Sequence, residues 1–273
     1  MTEVPPPHQL LNVLTLNAWG FGWPLARHRA VRFERLARWL EASKHDIVGL
    51  QEMWDGARKQ LNIERLNWTP AGKRRRRDRT AMTDSGLALK FSDALAAQTK
   101  ASPQLLHTFG EHRGWDRFKR KGLFGVEVPL DAVGGSVMVV VTHLQASAQH
   151  HRTRRKQLDE VLELLDGIDS PVILMGDFNI HAGSAEDRAG HRSMDRAGWV
   201  DASEMVDNPA PTYVIGNPYT SGPDERFDRI YLRHGARLRI EATDARVIHH
   251  HDSPISDHEA LEAQLVISRI AAG

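Results

Sequence analysis

The stretch "ILMGDFNIH", residues 173–181, closes an apolar run with a glycine and then sets two polar side chains one residue apart, Asp177 and Asn179. Length and apolar content make "PVILMGD" (171–177) a buried strand. Residues i and i+2 of a strand share a face, so Asp177 and Asn179 can converge on one point where the strand ends. A buried strand ending in a carboxylate and a carboxamide aimed the same way needs partners, and the rest of the chain supplies them.

Other apolar runs finish in the same manner. "NVLTL" (12–16) leads to Asn17, "DIVGL" (46–50) to Glu52, and "VMVVVTH" (137–143) to His143. "FDRIYL" (227–232) carries Asp228, and "SDHEAL" sets Asp257 and His258 just before "EALEAQLVI" (259–267). Further strands are expected at "GLALKF" (86–91) and "LFGVEV" (123–128). Helices are expected over 29–43, where Phe33, Leu36, Ala37 and Leu40 form a stripe, over 153–166 with Leu158, Val161, Leu162 and Leu165, and over 56–66. Loops are expected at 20–24, 208–223 and near 253. Strands outnumber helices, and some are neighbours in sequence, which favours a layered α/β fold with mixed sheets. No repeat or linker divides the chain, so 1–273 reads as a single catalytic domain whose first residues, 1–10, form a flexible N-terminus.

Composition excludes several classes. There is no cysteine, hence no disulfide frame and no thiolate metal site. With 36 Lys+Arg against 35 Asp+Glu, overall charge points to no polyanionic partner. No signal peptide is read in "MTEVPPPHQLLNVLTLN", and no apolar run reaches the ~18–20 residues of a membrane span. The expectation is a soluble, cytoplasmic, monomeric protein without a transmembrane segment.

Six strand ends bearing acids, amides and histidines suggest one site in the crevice that strand ends leave. Oxygen-rich ligands suit a hard divalent cation, magnesium with manganese as a substitute, and Glu52 and Asn17 are candidates to hold it. A histidine beside a carboxylate can act as general base. A second histidine and an asparagine can donate to phosphate oxygens. Together these describe metal-assisted phosphoester hydrolysis.

"LTLNAWG", "DIVGLQEMWD", "THLQA", "MGDFN", "RFDRIY" and "SDHEAL", in this order between residues 11 and 262, resemble the motifs of the endonuclease/exonuclease/phosphatase superfamily. The resemblance implies a four-layer sandwich: two mixed, mostly antiparallel sheets face to face with helices outside. It implies roles as well. Asn17 and Glu52 would bind magnesium, with Asp257 at the metal side. His258 would be the general base and Asp228 its orienter. Asp177 would contact the nucleophile or a second metal, and Asn179 and His143 would hold the phosphate. "GWDRFKRKGLFGVEV" (114–128) resembles a segment of neutral sphingomyelinases, as do "THLQA" and "NPYT" (217–220). By that resemblance Lys121 would approach the substrate phosphate and Asp116 could pair with it as a switch. A phospholipid headgroup substrate with peripheral membrane contact is therefore expected. DNA or RNA cleavage is the alternative, and a non-catalytic binding module a third reading.

Some features leave their role open. "KRRRRDR" (73–79) could bind nucleic acid, anionic headgroups or neither. "HHRTRRK" (150–156) puts positive charge at a helix start, against the dipole, and would grip a nucleic-acid backbone in a nuclease. Trp19, Phe21 and Trp23 either line the cleft or pack. "HHHD" (249–252) is a surface loop or a transition-metal site.

Overall fold

Alternation of apolar residues, period two, sorts the chain into strands with two buried faces. The computed structural model describes residues 7–22, 24–54, 57, 60, 61, 68–70, 85–99, 104–118, 120–250 and 252–270. The described strands are β1 (His8–Asn17), β2 (Ile47–Gln51), β3 (Trp68–Pro70), β4 (Ala88–Phe91), β5 (Leu105–Thr108), β6 (Gly122–Leu130), β7 (Gly135–His143), β8 (Val172–Asp177), β9 (Val200–Asp201), β10 (Asp228–Arg233), β11 (Leu238–Ile248) and β12 (Ala260–Arg269). They form two six-stranded sheets, ordered β11-β12-β1-β2-β4-β3 and β5-β6-β7-β8-β10-β9. Each sheet holds one parallel pair, β1 with β2 and β7 with β8, among antiparallel neighbours.

The helices are α1 (Arg29–Ala42), α2 (Asp93–Gln98), α3 (His151–Asp166), α4 (Ala185–Arg196) and α5 (Ala202–Met205). Leu11 and Val13 of β1 meet Val139, Val141, Ile173 and Met175 in a core between the sheets. The alternate residues Leu14 and Leu16 pack outward on Phe33, Leu36 and Leu40 of α1. On the far side, Val140 and Leu174 pack on Leu158, Val161 and Leu165 of α3 and on Met194 of α4. The result is the expected four-layer α/β sandwich. Burial on both faces makes these strands near-continuous apolar runs.

Three differences from expectation have local causes. Residues 8–10, expected in a flexible terminus, are strand, because β12 pairs with them from His8 onward (His8 with Ser268). Strand β11, unexpected from sequence, alternates apolar residues with Arg239, Glu241 and Arg246, and a bulge between Ala242 and Asp244 shifts its period. Helix α4 exposes most of its polar residues and shows little apolar stripe; Ser184 caps it by accepting from Asp187 N at 3.1 Å. Most of the helix expected over 56–66, and all of the basic run 73–79, lie outside the described residues, as do Trp23 and His251.

Candidate active site

The inner-face pattern of three strands changes from apolar to polar at one end of the sandwich. Val137, Val139 and Val141 are followed on the same face of β7 by His143, and Ile173 and Met175 of β8 by Asp177. Asp228 opens β10 ahead of Ile230 and Leu232. Strand register sets all three side by side: His143 opposes Asp177, and Asp177 opposes Asp228. From the other sheet, Leu11 and Val13 lead along one face of β1 to Asn17, which opposes Gln51. Glu52 follows β2 in left-handed backbone (φ 57°), and Asn179 follows β8 in the same region (φ 50°). Close approach of β7 to β8 requires Gly176: at φ 146°, a Cβ there would lie 2.0 Å from Thr142 O.

These side chains form three linked groups. His258 Nδ1 lies 2.7 Å from Asp228 Oδ2, which also accepts from Thr212 Oγ1 at 2.7 Å. The ring's Nε2 therefore faces Asp177, 4.0 Å from its Oδ2. Burial alone would lower the His258 pKa, but the adjoining Asp228 outweighs it and holds the imidazole well above its ordinary value. Burial raises the Asp228 carboxyl against the pull of His258. Asp177 moves the opposite way: burial would raise it, but His143, His258 and Lys121 hold it below the carboxylate range.

The second group surrounds Asp177. Asn17 Nδ2 donates to Asp177 Oδ2 (2.9 Å), and His143 Nε2 lies 3.3 Å from the same oxygen. Asn179 N donates to Asp177 Oδ1 (2.9 Å), while Asn179 Nδ2 donates to Leu144 O (3.1 Å). Lys121 is fully buried behind His143. Its Nζ reaches His143 Nε2 at 2.7 Å, Leu144 O at 2.6 Å and Asp116 Oδ2 at 3.1 Å. The Asp116–Lys121 pair read from sequence is thus formed in the interior. Its ammonium contacts His143 and Asp116, both of which line the cleft, as well as the Leu144 carbonyl.

The third group is the cation candidate. Glu52 Oε1 is 3.5 Å from Asn17 Nδ2, and Glu52 Oε2 is buried with no hydrogen-bond partner among the described residues. A buried carboxylate oxygen without a donor is costly unless a cation compensates it. Burial, together with the charge of Glu52, raises half-buried Asp257 to about 6, so two like charges share this corner. The donor set fits magnesium, which uses one or two carboxylates and keeps waters. Among the described residues no three His, Asp or Glu side chains gather into a cage that would hold an ion by themselves. The Asn17 amide presents its nitrogen to the carboxylates and its Oδ1 to Trp19 N (3.0 Å), so service as a ligand requires the amide to turn over.

Several contributors escape sequence reading. Arg32 is buried and donates to Ala18 O, Trp19 O and Ile255 O (3.2, 2.9 and 3.0 Å), tying the segment after Asn17 to that before Asp257. Asn217 of "NPYT" donates to Ser256 O (2.9 Å) and Glu259 Oε1 (3.1 Å), and Ser256 Oγ donates to Asn17 O (2.5 Å). Gln145 of "THLQA" accepts from Arg113 N (2.7 Å) and donates to Asp116 Oδ2 (2.9 Å). Arg154 forms a buried bidentate pair with Asp187 (2.9 and 2.6 Å) and donates to Gln145 O. Arginine usually reads as surface, and nothing local marks Arg32 or Arg154 as interior.

The groups open into one cleft of about 1010 Å³ whose wall includes Trp19, Phe21, Trp54, Tyr213 and Phe227. A layered α/β fold with a buried Asp–His pair, phosphate-type donors and an uncompensated carboxylate at converging strand ends defines a phosphoesterase-like architecture. A sequence model of the Endonuclease/Exonuclease/phosphatase family matches residues 14–258. The chain belongs to this family. It is 25% identical over 289 residues to sphingomyelin phosphodiesterase 2 of Homo sapiens, covering 94% of this chain but 64% of that protein. Two solved structures share its fold. TDP2 of D. rerio, complexed with single strand DNA product, aligns at a TM-score of 0.72 with 18% identity, covering 94% of this chain and 98% of that one. Sphingomyelinase C of Streptomyces griseocarneus aligns at 0.66 with 21% identity, covering 94% and 99%.

Proposed function

We propose that the protein is a magnesium-dependent phosphodiesterase that hydrolyses the headgroup phosphoester of a sphingomyelin-type phospholipid by water attack on phosphorus. The observation that carries the reading is the in-register row His143, Asp177 and Asp228, with His258 seated on Asp228 and facing Asp177. Family membership supports phosphoester chemistry, and the likeness to sphingomyelin phosphodiesterase 2 supports the lipid substrate.

His258 gives its Nδ1 proton to the hydrogen bond with Asp228, which leaves the Nε2 lone pair directed into the cleft as the base for water. The imidazolium formed is held between Asp228 and Asp177. Asn179 commits one amide hydrogen to Leu144 O and keeps the other for a phosphoryl oxygen. Lys121 acts through His143, fixing its ring and placing positive charge behind the phosphate site. Glu52 and Asp257, with Asn17, would hold magnesium, which when bound supplies a Lewis acid against the phosphoryl charge.

Nucleic acid draws less support. Of the basic residues 150–156, Arg154 is buried on Asp187, while Arg155 pairs with Asp159 and Lys156 with Glu111. Arg154 is therefore committed to the interior, while Arg152 and Lys156 stay exposed on the helix.

One panel tests the reading: sphingomyelin, a lysophospholipid, plasmid DNA, an abasic duplex and a phosphorylated inositol, each with magnesium. Release of phosphocholine from sphingomyelin, abolished by chelation, is the expected result. DNA cleavage without phosphocholine release overturns the lipid assignment and leaves the phosphodiesterase site standing.

A further inference from the structure

The turn that buries Asp116 also has an outward face. Residues Gly114–Phe118 form one 3₁₀ turn. Asp116 points inward, where it accepts from Ala146 N at 2.8 Å and Gln145 Nε2 at 2.9 Å. Trp115 and Phe118 point outward, 72% and 54% exposed, with ring centroids 6.2 Å apart. Both stand at the rim of the cleft, and Leu25, 54% exposed, stands on its wall as well. Ile215, 76% exposed, projects from the loop whose residues Ser221–Pro223 reach the same cleft.

Large apolar side chains held outside the core cost free energy in water unless something covers them. Those of the turn are not a floppy accident, because the buried Asp116 and Gln145 contacts pin it. From the geometry we infer that this rim is a docking surface for the interfacial zone of a phospholipid bilayer, with Trp115 and Phe118 as the principal anchors. This rests on the reading above that a lipid headgroup enters the cleft. Aromatic rings partition to the headgroup level of bilayers, and arginines beside them meet phosphate. Arg113 and Arg117, both exposed, flank Trp115 in sequence. The aliphatic Leu25 on the cleft wall adds surface that suits acyl chains, and the single-stranded DNA arm of the test separates a bilayer from a nucleic acid as the occupant. Docked by this rim, the mouth of the cleft opens at the depth where the phosphoester of a membrane lipid lies.

The test uses the full chain and sucrose-loaded vesicles of phosphatidylcholine and sphingomyelin, with and without phosphatidylserine. Trp115→Ala/Phe118→Ala should lower the vesicle-bound partition by about tenfold or more, with unchanged thermal melting. Trp115→Leu/Phe118→Leu should retain most of it. The emission lost in Trp115→Phe relative to the unsubstituted protein should be quenched by brominated acyl chains. Equal binding by the alanine variant overturns the proposal, as does binding that vanishes with added salt whatever stands at 115 and 118. So does the absence of vesicle binding together with single-stranded DNA binding lost in the alanine variant. Phosphocholine release is read separately. If vesicles bind through Trp115 and Phe118 but no headgroup is released, the substrate assignment fails while the docking surface stands.

Discussion

The two sheets reach the cleft by different means. The sheet containing β7, β8 and β10 delivers His143, Asp177 and Asp228 as neighbouring rungs of a hydrogen-bonded ladder, so their spacing is set by backbone pairing. The sheet containing β1 and β2 places only Asn17 within a strand; Glu52 lies one residue past β2 in left-handed backbone. Contacts made to the ladder are short: 2.7 Å to Asp228 from His258, which precedes β12 of the other sheet, and 2.7 Å to His143 from Lys121. The Glu52 carboxylate meets Asn17 Nδ2 only at 3.5 Å, and its Oε2 is unmatched among the described residues. The difference assigns the work. Under the proposed function, the ladder half would orient the base and the phosphate, and the Glu52 half would hold the cation.

Breaking the ladder half should give the largest effect. His258→Ala should lower kcat by about 10²–10⁴-fold, the usual loss of a positioned base, with thermal melting and circular dichroism unchanged. Lys121→Met should be costly in a different way. It leaves Asp116 buried without its cation, so stability to urea should fall by about 3 kcal/mol. Asp116→Asn added to Lys121→Met should recover much of that stability but not the activity lost through His143. Lys121→Met that melts like the unsubstituted protein would show that the pair is not held in the interior.

Asp228→Asn should cost about 10–100-fold in kcat, because the imidazole stays and loses its orienting partner. The sign of the pH change follows from the pair. Asp228 holds His258 above its ordinary pKa, and the base works only when neutral. Loss of the carboxylate should therefore move the acid limb of the kcat profile to lower pH. An unmoved limb would remove His258 from the role of base.

The ladder half is also the half most readable from sequence. The apolar runs of β7 and β8 end in the candidate residues His143 and Asp177, and that of β10 begins at Asp228, because the inner face keeps a period of two up to the last rung. Helices α1 and α3 were readable because their stripes face a sheet. Strand β11 was not, since the bulge at Ala242 and Asp244 breaks the period and alternate residues are charged. The contacts that hold the cleft loops were hidden as well. Arg32, Gln145 and Arg154 work by donating to main-chain carbonyls distant in sequence, and no local pattern marks such a partner. The depth of Lys121 was equally invisible, because "RFKRKG" reads as a solvated charge run until β6 draws one of its lysines inside.

The division of labour between the two halves is tested most directly by metal binding without turnover. Free Mn²⁺, counted by electron paramagnetic resonance in the presence of the unsubstituted protein, Glu52→Gln and His258→Ala, reports affinity for the ion alone. Affinity should fall by about tenfold or more in Glu52→Gln and stay near the unsubstituted value in His258→Ala. Equal affinity in Glu52→Gln, or a loss confined to His258→Ala, would contradict the assignment of the cation to the Glu52 side.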